Sequence, residues 1–116
     1  MSINSTRGKR RSISVPSARL DELIDEATAD CYNESEQLCG LFTMLEENLV
    51  LPFTTSVLGI EVVVERVDLT EAEEIVAVCR RGRIRQRIPI LDLPLPSLPP
   101  AGTEWIEAYR QWYRGK

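Results

Sequence analysis

At Pro52-Phe53 the apolar pattern of this chain changes period, and that change limits what it can fold into. Before it, Leu23, Ile24, Ala27 and Cys31 follow Leu20 by 3, 4, 7 and 11 residues, one face of a helix. Leu38, Leu41, Phe42, Leu45 and Leu49 form a second such stripe. Ser17 after Pro16 is the expected N-cap of the first helix, Asn33 with Glu36 reads as a capping box for the second, and Pro52 ends it. After the change, Ile60, Val62 and Val64 alternate with Glu61, Val63 and Glu65, which is the period of a strand.

The strand region has its own punctuation. Gly59 marks a tight turn, and a phase slip to Val67 and Leu69 predicts a bulge near Arg66. Asp68 to Glu74 reads as an acidic loop before the strand from Ile75 to Cys79. Arg80-Arg81-Gly82-Arg83 is a turn, and beyond it Ile84, Gln86, Ile88 and Ile90 alternate with Arg83, Arg85 and Arg87. Five of the seven prolines fall between Pro89 and Pro100, so Leu91 to Pro100 is expected to be an extended strap rather than a strand partner. Its Pro96-Ser97-Leu98-Pro99 fits PxxP, an unspecific pattern. Thr103 then caps a helix whose Trp105, Ile106, Tyr109, Trp112 and Tyr113 make an aromatic face. Burying those rings is worth several kcal/mol, so the helix is expected to fold back as core, with a docking surface for a protein partner as its other use.

The predicted whole is a single α+β domain over 16–116: two N-terminal helices, an antiparallel meander curled into a half-barrel of Src-homology type, and a C-terminal aromatic helix. Residues 1–15 are basic and Ser-rich without apolar periodicity and are predicted to be a mobile arm, in which Arg10-Arg11-Ser12 is a candidate phosphorylation or nucleic-acid contact.

Charge is segregated along the chain. Residues 21–74 hold fifteen carboxylates and one cation, Arg66, for 1 − 15 = −14. The first twenty residues bring +5 and the last forty-two bring 8 − 3 = +5, which gives the overall −4. Crowded carboxylates without basic partners favour a hard cation such as Ca²⁺. Helix geometry divides the acidic pool, because Glu36 and Glu47 are eleven residues apart and hence separated by about 16 Å. One ion cannot bridge them. The expected principal site joins Glu46 and Glu47, at the end of the second helix, to Asp68, Glu71, Glu73 and Glu74. A weaker site is expected from Asp30, Glu34 and Glu36. A helix C-terminus adds negative potential, which repels the carboxylates and favours a cation. No EF-hand pattern is present, since its spaced Asp residues and its glycine are missing.

Other chemistries lack their residues. With no histidine there is no imidazole base for a nucleophile and no nitrogen ligand for zinc, copper or iron, so an enzyme is not expected. Cys31, Cys39 and Cys79 form no CxxC pair and are expected to be buried free thiols. No apolar run approaches the ~20 residues of a membrane span, so the expectation is a cytoplasmic monomer without membrane contact. Arg83, Arg85 and Arg87 could meet phosphates, but with no aromatic residue interleaved the favoured reading is cross-strand pairing with Glu61, Glu65 or the acidic loop.

Asp30-Cys31-Tyr32, Glu34, Glu36, Gly40, Leu45-Glu46-Glu47-Asn48-Leu49, Pro52-Phe53 and the strand Ile60 to Leu69 together resemble the CcbP-like calcium-binding proteins of cyanobacteria and other bacteria. The resemblance covers about residues 28–92, through a D-A-Y opening, an acidic helix start, a glycine, an L-E-D-x-L stretch and F-P-F. Cys31, Glu47 and Leu51 depart from that pattern, and the basic arm and aromatic helix are additional. The resemblance implies a small Ca²⁺ buffer or sensor without an EF-hand. The alternatives are a regulatory domain whose acidic face docks a basic partner, and a weak nucleic-acid binder using the arm and Arg83, Arg85 and Arg87.

Overall fold

The computed structural model describes residues 15–115. The arm expected over 1–15, with Arg10-Arg11-Ser12, therefore lies outside the described residues except for Val15, which packs against the core. Helix α1 runs Ser17–Ala27, α2 Glu34–Asn48 and α3 Glu104–Arg114, and between α2 and α3 lie strands β1 (Phe53–Val57), β2 (Ile60–Leu69), β3 (Ile75–Arg81) and β4 (Ile84–Pro89). A single 3-10 turn, Ile90–Asp92, follows β4.

The strands form one antiparallel sheet in the order β1-β2-β3-β4. The meander is as expected, but the sheet stays open and does not close into a barrel, because β1 and β4 remain its two edges. Register shifts between Val64, opposite Cys79, and Arg66, opposite Val78, which makes Glu65 the extra residue of a bulge. The slip keeps Val64 and Val67 on the helix-covered face, at 0% and 3% exposure. The β1-β2 turn is the two residues Leu58 and Gly59, with φ of 52° and 79°, the left-handed pair that suits strand twist. Leucine in that conformation costs about 1 kcal/mol. Leu58→Asn should therefore raise the melting temperature by about 4 °C, and a thermal melt showing a decrease would refute this account of the turn.

The core lies between one face of the sheet and the three helices. Leu23, Leu41, Leu45, Val64, Ile75, Ile90 and Ile106 are almost wholly buried there. Trp105 and Tyr109 are 4% and 2% exposed, so the aromatic helix is spent largely as core rather than as a docking face. Trp112 donates its indole N–H to Gln37 Oε1 at 2.9 Å, and Val50 N–H bonds the Ala101 carbonyl at 2.9 Å. These two contacts set α3 antiparallel to α2, with its start at the end of α2. The strap delivers it there, anchored midway where Thr55 Oγ1 donates to the Pro94 carbonyl at 2.7 Å.

Local details differ from the sequence reading. Ser17 is not the cap of α1; Pro16 occupies that position, and the Ser17 hydroxyl donates to Gln111 Oε1 at 3.2 Å on α3. Helix α1 ends at Ala27 and does not reach Cys31, because Thr28 turns its hydroxyl back to the Ile24 carbonyl at 2.7 Å and Asp30 adopts a φ of 65°. Glu22 and Glu26, four residues apart on α1, are therefore not continued along the helix by Asp30. Asn33 does cap α2, accepting from Glu36 N–H at 2.8 Å, but Glu36 Oε1 closes the box one residue earlier, on Tyr32 N–H at 2.6 Å. Thr103 precedes α3, yet its hydroxyl donates to the Pro100 carbonyl at 2.6 Å. Of the three thiols only Cys79 is buried, and burial pushes its pKa up; Cys31 is half-buried and Cys39 exposed.

Candidate functional site: the acidic loop and the start of helix two

The loop between β2 and β3 is tightly built. Thr70 N–H bonds the Glu74 carbonyl, Glu73 N–H bonds the Thr70 carbonyl, and the Thr70 hydroxyl accepts from Glu74 N–H at 3.2 Å. Closing so short a turn puts Glu73 at a φ of 62°, where a non-glycine residue is uncommon. The Glu73 carboxylate is then held by Ser35, whose Oγ donates to Oε2 at 3.1 Å.

That hydrogen bond corrects the expected grouping. Ser35 lies in the first turn of α2, flanked by Glu34 and Glu36, whereas Glu46 and Glu47 lie exposed in its last turn. Eleven or twelve residues of helix separate them, about 17 Å. The loop therefore meets the helix start, and Glu46 and Glu47 do not join Glu71, Glu73 and Glu74. Asp68 is also accounted for differently, because it lies within β2, opposite Val76, and faces Arg87 Nη2 of β4 at 3.7 Å, a loose pair.

Glu73 and Glu74 also edge a cleft of about 380 Å³, whose other walls are Pro89, Leu91, Asp92, Tyr109 and Tyr113. Burial holds the Tyr109 phenol above its ordinary pKa, partly offset by a hydrogen bond with the Ile75 backbone, while the nearby charges of Tyr113 and Glu74 push the same way as burial. The cleft thus combines three carboxylates with two aromatic rings, and no part of it was legible from spacing. Tyr109 and Tyr113 share a helix face in the sequence, but only the fold brings that face to the loop.

The arginine strand behaves as the cross-strand reading expected. Glu65, set out by the bulge, accepts from Arg85 Nε at 2.8 Å and from Arg80 Nε at 2.7 Å. Arg85 and then Arg80 hold its carboxyl below the ordinary carboxylate range. Arg83 sits in the β3-β4 turn rather than in the strand. A group with a depressed folded pKa contributes stability above its unfolded value, and loses that contribution as pH falls through the folded one. Glu65→Gln should accordingly lower the urea midpoint at about pH 7, with the gap to the parent closing as the medium drops below the ordinary carboxylate value. An unchanged gap in acid would show that the two ion pairs are not its source.

No family model, no curated protein and no solved structure matches the chain. The donor chemistry around the loop, carboxylates with a hydroxyl and backbone carbonyls, suits a hard cation such as Ca²⁺. Among the described residues, however, no three acidic or cysteine side chains stand close enough to hold one ion. No described helix is long and apolar enough to cross a membrane.

Proposed function

We propose that the protein binds Ca²⁺ through the loop Thr70–Glu74 and the facing first turn of α2, as a non-enzymatic buffer or sensor. The observation that carries this reading is the Ser35–Glu73 hydrogen bond, which gathers two acidic segments, distant in sequence, at one end of the molecule. Glu71, Glu73 and Glu74 with Glu34 and Asp30 are the side chains with which such a site would be made, and the resemblance to the CcbP-like family adds to it. Since these groups do not form a ready cage, binding requires their exposed side chains to swing together. A ligand-driven rearrangement of that kind belongs to a sensor more than to a rigid buffer.

Millimolar Ca²⁺ at about a hundred times its dissociation constant should add about 2.7 kcal/mol of stability, seen as a melting temperature raised by about 10 °C over Mg²⁺ or chelator. Glu71→Gln and Glu73→Gln should each weaken the calorimetric affinity, whereas Glu47→Gln should leave it unchanged. No heat and no shift in melting with Ca²⁺ would end the proposal, and a loss confined to Glu47→Gln would restore the grouping read from the sequence.

A second reading rests on the cleft, which the exposed Tyr113 lines together with Glu73, Glu74 and Asp92. An aromatic ring beside carboxylates accepts an ammonium or guanidinium group, so this end would dock a basic side chain of a partner protein. Loss of an Arg-rich peptide's binding in Glu74→Gln with Tyr113→Ala, in calcium-free buffer, separates it from the first.

A further inference from the structure

The helices cover only part of the sheet. Toward the two hairpin turns the same face continues past them as a groove of about 260 Å³, floored by Val57, Ile60, Val62, Ile84 and Ile88. Leu58, Ile84 and Ile60 at its mouth are 96%, 71% and 42% exposed, a contiguous apolar patch. One side of it is β4, an edge strand with no strand beyond it among the described residues, so the N–H and C=O groups on its outer side have no strand to pair with.

Charge at this end of the sheet is net positive. Arg80, Arg81, Arg83 and Arg85 against Glu61 and Glu65 give 4 − 2 = +2 at this end of a chain whose residues 21–74 sum to −14. Glu65 occupies Arg80 and Arg85, while Arg81 and Arg83 have no ion pair among the described residues. Even so, Arg85 and Arg87 keep 57% and 60% of their side-chain surface open. Along β4 the groove face carries Ile84, Gln86 and Ile88, and the opposite face Arg85 and Arg87, so any strand laid beside it meets apolar and cationic positions in alternation.

We infer that this groove docks an extended segment of another protein in which acidic and apolar residues alternate, added as a fifth strand on the edge of β4. Its main chain pairs with the edge, its apolar side chains fill the groove, and its carboxylates meet Arg85 and Arg87 on the opposite face and Arg83 in the turn. Neither the chain's N-terminal segment nor its other edge strand fits as occupant. The N-terminal segment carries Arg7, Lys9, Arg10 and Arg11, the same sign as this end of the sheet, and the other edge strand, Phe53–Val57, has no carboxylate. Pairing β4 with β4 of a second copy would set Arg85 and Arg87 against their own kind, which is destabilising. The inference is independent of the calcium binding proposed at the opposite end of the sheet, in the β2-β3 loop.

Fluorescence polarisation of the full chain with a labelled peptide of alternating Asp and Val tests this. The peptide should bind saturably, weaken as salt is raised, and lose about tenfold in affinity with Ile84→Asp or with Leu58→Asp, a change the turn's backbone tolerates. The matching Lys-Val peptide should not bind, and amide shifts should fall on residues 84–88. Equal binding of the Lys-Val peptide, absence of binding by either, or unchanged affinity in both variants would each overturn the proposal. So would self-association in sedimentation that Ile84→Asp abolishes, or retention on phosphatidylserine vesicles in place of peptide binding.

Discussion

Gly102→Ala is expected to destabilise the fold by about 3–5 kcal/mol, enough to move the urea midpoint by a molar unit or more. Two causes add. The residue holds a φ of 93°, a backbone conformation closed to ordinary L side chains. A Cβ there would be driven onto the Asn48 carbonyl and within 2.6 Å of Leu49 Cα. Both obstacles are main chain, at the end of α2, so no side chain can swing aside to make room. The strap must pass this close because it delivers α3 to the far end of α2. Relief would require Val50 to give up its bond to Ala101. A Gly102→Ala protein as stable as the parent in urea would mean that the strap does not thread this gap.

Gly40→Val should cost about 3 kcal/mol, although valine has the higher helix propensity and an isolated α2 peptide would gain from the change. In the fold, a Cβ at this position meets the Ala27 carbonyl oxygen, the last turn of α1, with Cys31 Sγ only 3.7 Å away. The glycine sets how closely α1 and α2 cross. Gly40→Ala separates propensity from packing, since it adds only one methyl and still strikes the carbonyl. Both variants should lose stability in chemical denaturation. An Ala variant more stable than the parent would show that the two helices can part at no cost, and that the close crossing is incidental.

These two glycines mark a boundary of what the residues disclose. Gly40 reads on its own as one more small residue on the polar side of α2, with Glu36, Thr43 and Glu47, because periodicity assigns a face but not a partner. The elements themselves were legible where local physics decides them. Asn33 caps α2 through its own side chain, Leu58-Gly59 turns through backbone conformation, and the phase slip around Glu65 announces the bulge. The end of α1 was not, since Cys31 continues the apolar spacing and only Thr28 and the backbone at Asp30 break it. Barrel closure was not legible either, because strand lengths do not state whether edge strands meet.

The acidic clusters illustrate the same limit. Composition and helical rise established that α2 has two separate acidic ends. Nothing local says which end receives the β2-β3 loop. That is decided by the route of the whole chain, which turns Glu73 toward Ser35 and leaves Glu46 and Glu47 exposed at the other end of α2. Asp68 found its cation in Arg87, nineteen positions later and across two strands, and Glu65 found two. Carboxylates in strands could be paired by register, whereas those in loops and helix turns could not.

The antiparallel seating of α3 along α2 has a consequence for how the molecule is made. Trp105, Ile106 and Tyr109 complete a core whose other walls precede them in the chain, so during synthesis the sheet and the first two helices emerge before anything can cover their apolar faces. Until residue 112 has left the ribosome and Trp112 has reached Gln37, the nascent chain presents bare core leucines, the kind of surface that chaperones hold and that aggregates when they do not.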